Sequence, residues 1–342
     1  MKPRTLIAVG TLAAAAGWAL SAFSRRGFSF SGKVFLITGG SRGLGLLLAR
    51  QICAEGGRVA LLARDAQELA KARQELVRSF RADVLTIPCD LLERGEAEEA
   101  VRTVVSHFGR VDVLINNAGI IEIGPINNMK REDFEQAMDL HFWAAYTLIT
   151  NVIPHFRRRG GGRIVNISSV GGRMAVPHLA PYCASKFALV GLSEALSAEL
   201  ARENIHVTTV TPGLMRTGSH IHAKFKGDHS AEYTWFATAA TLPVFSMKAE
   251  RAAARILTAC KRGDPTLTMP LPTRVALLGN ALFPNLSGAV LKLVNAFLPP
   301  AADGGDNKEL SGKASQVVAP ASNGVEAGSP RRNGESRRRK RK

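Results

Sequence analysis

Val34-Phe-Leu-Ile-Thr38-Gly39-Gly40-Ser41-Arg42-Gly43-Leu44-Gly45 is the stretch from which the rest of the chain can be read. Val34–Thr38 has strand character with no polar alternation, and it runs directly into a glycine-rich turn. Beyond the turn, Leu44–Glu55 shows apolar residues at helical spacing. Glycines at such a junction allow a tight bend and let backbone N–H groups approach a pyrophosphate at the helix N-terminus. The pattern therefore predicts a dinucleotide site built from Thr38, Gly39, Ser41, Arg42, Gly43, Leu44 and Gly45.

Outward from this unit the pattern repeats. Apolar runs of strand length lie at Val59–Ala63, Val84–Ile87, Val111–Ile115, Ile164–Ser168 and His206–Thr211. Between them, segments such as Ala66–Phe80 and Ala97–Phe108 carry apolar residues at i, i+3, i+4 and charged outer faces. Val- and Ile-rich strands without alternation are buried on both sides, which requires a parallel sheet covered by helices. The predicted fold class is α/β, a doubly wound parallel sheet in a single domain over 31–265, followed by an apolar helical extension over 266–300. With 342 residues, of which 46% are hydrophobic and 21% charged, the chain is neither wholly disordered nor fibrous. Cys53, Cys89, Cys183 and Cys260 are far apart and form no Cys-x-x-Cys pair, which argues against a disulfide scaffold or a structural zinc site.

The second strand selects the dinucleotide. A carboxylate at its end would bind the ribose 2′-hydroxyl of NAD. Here Leu61-Leu62-Ala63-Arg64-Asp65 places Ala63 at that point, with Arg64 next and Arg42 in the glycine loop. Two guanidiniums suit a 2′-phosphate, which they contact through paired hydrogen bonds, so NADP(H) is expected. Asp65 is expected to point away and cap the following helix.

Further motifs follow in order: Asp90 after the third strand, Asn116-Asn117-Ala118-Gly119 after the fourth, Ser169 after the fifth, Tyr182-x-x-x-Lys186, and Pro212-Gly213 after the sixth. Together with Thr38-Gly-x-x-x-Gly-x-Gly45, this set resembles the short-chain dehydrogenase/reductase family over about residues 31–260. The resemblance implies a Rossmann domain with a seven-stranded parallel sheet, assembled as a homodimer or homotetramer. It also implies that Asp90 meets the adenine, that Asn117, Ala118 and Gly119 support the sheet and cofactor, and that Pro212, Gly213 and Thr217 cover the nicotinamide end.

The chemistry of the Tyr-Lys pair follows from the residues themselves. Tyr182 and Lys186 are one helical turn apart and share a face. A free phenol, with a pKa of about 10, is a poor base near neutrality. A nearby ammonium and the charge of an oxidised nicotinamide would lower that pKa. Tyr182 would then exchange a proton with the substrate oxygen, Ser169 would hydrogen-bond the same oxygen, and Lys186 would also hold the nicotinamide ribose. Ser168 alternates to the other strand face. Cys183 reads as a packing residue.

One position departs from the family pattern. Where members carry an asparagine that anchors a water in the proton relay, this chain has His141. An imidazole can relay a proton through its two nitrogens, or it can simply fill space in the helix. No metal is expected: His220, His222 and His229 lie in a loop lacking carboxylate or thiol partners.

Both ends of the chain are unlike its middle. Leu6–Phe23 is apolar and uncharged, with Lys2 and Arg4 before it and Arg25 and Arg26 after. A membrane anchor is expected, in preference to a cleaved signal peptide or a packed helix, with its orientation left open by the basic flanks. The protein would then be membrane-associated, with its catalytic domain facing the cytoplasm. The net charge is +17, and eight of the last twelve residues are basic. The tail 301–342 lacks aromatics and reads as disordered and solvated, with an anionic membrane as the next reading. Nucleic acid is disfavoured because no folded module or aromatic platform accompanies the charge. The apolar stretch 266–300 would cap a substrate cleft, mediate dimerisation or lie on a bilayer, and each role points to a lipophilic substrate such as a steroid, retinoid or long-chain keto-lipid. An alternative of another class is a catalytically weak NADP-binding scaffold at a membrane.

Overall fold

A computed structural model describes residues 28–216, 219–241, 246–301, 310–312 and 314. The N-terminal apolar segment, Thr217 and most of the basic tail therefore lie outside the described residues, but within the tail, expected to be disordered, Leu310–Ser311 pairs antiparallel with Lys224–Phe225.

Seven strands form one sheet: β1 (Val34–Thr38), β2 (Arg58–Ala63), β3 (Val84–Pro88), β4 (Val113–Asn116), β5 (Gly162–Ile167), β6 (Ile205–Pro212) and β7 (Thr266–Met269). Their spatial order is β7-β6-β5-β4-β1-β2-β3, and every pairing is parallel. The order reverses between β1 and β4, where Phe35 is in register with Val113, and this opens a crevice at the carboxyl ends of the two strands. Parallel pairing needs crossover helices. They are α1 (Gly43–Ala54), α2 (Ala66–Phe80), α3 (Glu96–Phe108), α4 (Arg131–Met138), α5 (Ala144–Arg158), α6 (Ala180–Glu199), α7 (His229–Thr241) and α8 (Ala249–Arg262).

Strand alternation divides the core in two. Phe35 and Ile37 of β1 pack with Leu48 and Ile52 of α1 and Ile256 of α8. Val34 and Leu36 face the other way, onto Val104 of α3 and Leu148 and Phe156 of α5. A third cluster, with Phe225, Tyr233 and Phe236, packs against Tyr182 and forms an apolar wall beside it. The expected apolar extension is two helices, α9 (Leu271–Leu282) and α10 (Pro284–Asn295), each with a proline in its first turn. Proline is compatible with that position because its missing N–H would be unbonded there anyway.

Candidate active site

The glycine loop joins β1 to α1 at the switch point. Gly39 and Gly43 have φ of +62° and +53°, a region that favours glycine. At Gly45, an added Cβ would sit 2.1 Å from the Gly39 carbonyl oxygen, so the loop folds directly onto its helix. At Gly43 the same added atom would meet nothing within 4 Å, leaving open space above the turn. Arg42, the N-cap of α1, makes no side-chain cap, and the first turn contains no acid. Uncapped N–H groups beneath open space fit an anionic pyrophosphate.

Asn117 and Thr38 tie the loop to β4. The Asn117 side-chain amide donates to the Thr38 and Gly39 carbonyls at 2.9 and 3.2 Å. Thr38 Oγ1 accepts from the Asn117 and Ala118 N–H groups, each at 2.9 Å. Asp65 caps α2, accepting from Gln67 and Glu68 N–H at 2.8 and 2.9 Å. Arg64 is exposed beside it. Asp90 half-caps its own turn, accepting from Leu92 N–H at 3.1 Å. Gly213 donates its N–H to the Met269 carbonyl at 2.7 Å, holding the Pro212-Gly213 turn against the end of β7.

Sequence reasoning missed Glu68. Its carboxylate accepts from Ser41 Oγ at 2.9 Å and from Arg42 Nη1 at 2.8 Å. Both residues expected to meet the cofactor are therefore held by one acid from α2. The only local signal was the spacing of Glu68 from the capping Asp65, which reveals a helix start and nothing about reach across the loop.

Ser169, Tyr182 and Lys186 come together at the carboxyl end of β5. Ser169 Oγ accepts from Gly171 N–H at 3.1 Å, which fixes the side chain at the start of a short turn. Its hydroxyl lies close enough to the Tyr182 phenol to favour the ionised form of that group. Lys186 donates from Nζ to the Ile167 carbonyl at 2.9 Å and lies 5.9 Å from the centre of the Tyr182 ring. Ser168 Oγ is buried and donates to the Lys186 carbonyl at 3.2 Å, anchoring α6 to the strand.

The protein's own groups act against ionisation of Tyr182: burial pushes the phenol up to about 12, opposed by Ser169. Burial also pushes Lys186 down to about 7. Desolvation penalises both charged forms, so the protein by itself keeps Tyr182 protonated.

His141 sits in a π-turn (Asp139–Trp143) between α4 and α5 and is 2% exposed. Its Nε2 accepts from Ile120 N–H at 3.1 Å, and its Nδ1 is 2.7 Å from Ser185 Oγ. Ser185 spends its hydroxyl proton on the Tyr182 carbonyl at 2.9 Å. Nδ1 must therefore carry the imidazole hydrogen, which leaves a neutral ring with both nitrogens occupied. Burial, then the nearby Lys186, hold its pKa well below 6.5. His141 thus bridges the loop after β4 to the helix that carries Tyr182. Of the two roles open from the sequence, neither describes this bridge.

All four cysteines are buried free thiols. Among the described residues there is no cluster of three or more His, Cys, Asp or Glu side chains able to hold a metal.

A model of the short chain dehydrogenase family matches residues 33–225. The chain belongs to the short-chain dehydrogenase family. Its relatives include an uncharacterized oxidoreductase of Mycobacterium tuberculosis, 38% identical over 190 residues, covering 54% of this chain and 56% of that protein. The chain thus spans little more than half the length of that relative. A fatty acyl-CoA reductase of Acinetobacter baylyi is 37% identical over 188 residues, covering 54% of this short-chain dehydrogenase and 63% of the relative. Among solved structures, L-sorbose reductase of Gluconobacter frateurii complexed with NADPH and L-sorbose superposes with a TM-score of 0.63 at 27% identity, covering 71% of this chain and 97% of its own.

Proposed function

We propose that this short-chain dehydrogenase is an NADP(H)-dependent oxidoreductase that interconverts a carbonyl and an alcohol on a lipophilic substrate, working from a membrane with its catalytic domain towards the cytoplasm. The observation that carries the reading is the convergence of Ser169, Tyr182 and Lys186 at the carboxyl end of β5, with Lys186 one helical turn from Tyr182 on α6 and its Nζ 5.9 Å from the Tyr182 ring.

The roles assigned by this reading follow from what each group can do. A bound nicotinamide supplies or accepts the hydride. Tyr182, kept as a phenol, donates its proton to the carbonyl oxygen during reduction, and Ser169 donates a hydrogen bond to the same oxygen. Lys186 steadies the tyrosinate left behind. The uncapped end of α1, Thr38 and Asn117–Gly119 hold the cofactor, with Asp90 at the adenine and Pro212, Gly213 and Thr217 at the nicotinamide end. Arg42 and Arg64 face the 2′-phosphate, supported by the absence of an acid at Ala63 and by the NADPH in the L-sorbose reductase complex. Lipophilicity is supported by the apolar wall of Phe225, Tyr233 and Phe236 beside Tyr182, and by the fatty acyl-CoA reductase among the relatives.

The test is NADPH oxidation by purified protein against ketosteroid, retinal and long-chain keto-lipid carbonyls. Turnover on one class, abolished by Tyr182→Phe with NADPH binding intact, is expected. Equal turnover by Tyr182→Phe overturns the assignment.

A further inference from the structure

The α9–α10 pair does not pack like part of a globular domain. In α9 only Thr273 is buried, lodged where a Cβ on Gly213 would come within 2.2 Å of its Oγ1. In α10 no residue is buried at all. Leu271, Val275, Leu278 and Leu282 stand one above another on α9, and the same spacing repeats from Leu286 through Val290 and Leu293 on α10 to Phe297 just beyond its end. These side chains are exposed, Leu293 by 62% and Phe297 by 83%. A helix of 12 residues that buries nothing is marginal in water, so both stripes call for a covering phase.

We infer that α9 and α10 form an in-plane hairpin that seats the active-site mouth on an anionic phospholipid bilayer. Three observations select a bilayer over a second copy of the chain. Residues 271–300 carry two cations, Arg274 and Lys292, and no acid, in a chain of net charge +17. Two copies repel, whereas anionic headgroups attract. Together the helices pass the hydropathy test for a membrane segment, yet they are bent by 119° at Phe283. A bent pair cannot follow one straight interhelical seam, but it lies naturally in a plane. Finally, α9 starts straight from β7 and packs on Gly213, at the same carboxyl end of the sheet as Ser169 and Tyr182. The bilayer would then adjoin the cleft and deliver an apolar substrate laterally. The inference rests on the lipophilic-substrate reading for its purpose, but it is tested without turnover.

The test uses the full chain with an environment-sensitive fluorophore at Leu293→Cys, Leu286→Cys or, as control, exposed Arg78→Cys. The native cysteines are buried, so labelling is selective. Vesicles of phosphatidylcholine mixed with phosphatidylglycerol contain lipids spin-labelled at a shallow acyl position, because an in-plane helix sits about 5–10 Å deep. Residues 6–23 can attach the chain to lipid by themselves, so depth at the probe is the readout, not co-sedimentation. The expected result is a blue shift and severalfold stronger quenching at Leu293 and Leu286 than at Arg78. Lys292→Gln is expected to weaken the probe's partition into anionic vesicles about fivefold and leave neutral vesicles unaffected. Probes that stay in water on vesicle-bound protein overturn the inference. So does a probe already shielded before lipid is added, accompanied by a dimeric mass in sedimentation, which would assign the face to a second copy. Either outcome leaves the turnover test standing on its own.

Discussion

Replacing His141 with asparagine tests the neutral bridge through its pH dependence. In the folded protein the imidazole is 2% exposed, accepts at Nε2 from Ile120 and resists protonation well below the ordinary value of 6.5. In the unfolded chain it titrates near that ordinary value. The unfolded state therefore binds a proton that the folded state refuses, and stability falls as pH falls from 6.5 towards the folded-state pKa. Above 6.5 both states are neutral and the full stability is present. The loss approaches about 1.4 kcal/mol per pH unit, so moving from about pH 7.5 to about pH 5.0 removes about 2 kcal/mol. For a domain of this size that corresponds to a fall in Tm of about 4–8 °C.

Asparagine carries no titrating group. Its own cost appears at neutral pH, where lost packing and an imperfectly satisfied Ile120 N–H remove about 1–3 kcal/mol. The wild type and His141→Asn should thus differ most near neutrality and converge in acid. Thermal melts of both proteins across that range measure the difference directly. His155 and His206, whose pKa values burial also lowers, are present in both proteins and cancel. Parallel Tm curves would show that the folded protein accepts a proton at His141, and the bridge as drawn would be wrong.

Other outcomes follow from the same geometry. Tyr182→Phe should lower kcat about 10²–10⁴-fold with little change in NADPH affinity, because only the proton donor is lost. Glu68→Gln frees Arg42 from its carboxylate, so NADPH should bind about 2–5-fold tighter and NADH unchanged, as befits a half-exposed pair worth at most about 1 kcal/mol. Titration by cofactor fluorescence checks this, and equal gains for both cofactors would remove Arg42 from the 2′-phosphate. Arg42→Ala with Arg64→Ala should weaken NADPH far more than NADH in the same titration. Gly45→Ala forces a Cβ to within 2.1 Å of a backbone carbonyl, so it should both destabilise the fold by about 1–3 kcal/mol and weaken cofactor binding, read by melting with and without NADPH.

What the sequence revealed was local, and what it concealed was not. The span Ala66–Phe80 is a helix from end to end because its signals are its neighbours: Asp65 caps the start and Arg81, in the left-handed region, ends it. The run Val34–Thr38 reads as a doubly buried strand because all five of its residues are apolar or small, and all five are buried. Ser169, Tyr182 and Lys186 could be singled out because a reaction needs those groups, not because anything in the sequence places them in contact. Glu68 and Ser185 carry no such chemical mark. Each matters only through a partner reached by folding: Arg42 lies 26 residues from Glu68, and His141 lies 44 from Ser185. An imidazole whose two nitrogens are both occupied looks the same in sequence as one poised to relay a proton.

The opposed shifts of Tyr182 and Lys186 carry the synthesis one step further. An ammonium beside a phenol favours the tyrosinate, but the protein's own groups do not supply this by themselves, because desolvation acts on both charged forms at once. Lys186 donates to the Ile167 carbonyl, a dipole too weak to replace the water it has lost, and its pKa falls to about 7. With that charge weakened, little besides Ser169 favours ionisation, and burial holds Tyr182 at about 12. The protein alone therefore prepares the proton donor, the form that carbonyl reduction consumes. Alcohol oxidation would need the tyrosinate, and hence an added positive charge close to the pair. This predicts an asymmetric pH response: reduction should fall modestly as pH rises through 7, because its proton donor stays protonated while Lys186 loses the charge that steadies the tyrosinate, whereas oxidation should rise with pH, as the proton must leave a group held against ionisation. Initial rates in the two directions across that range decide it, and an oxidation rate independent of pH would show that Tyr182 ionises far more readily than its burial allows.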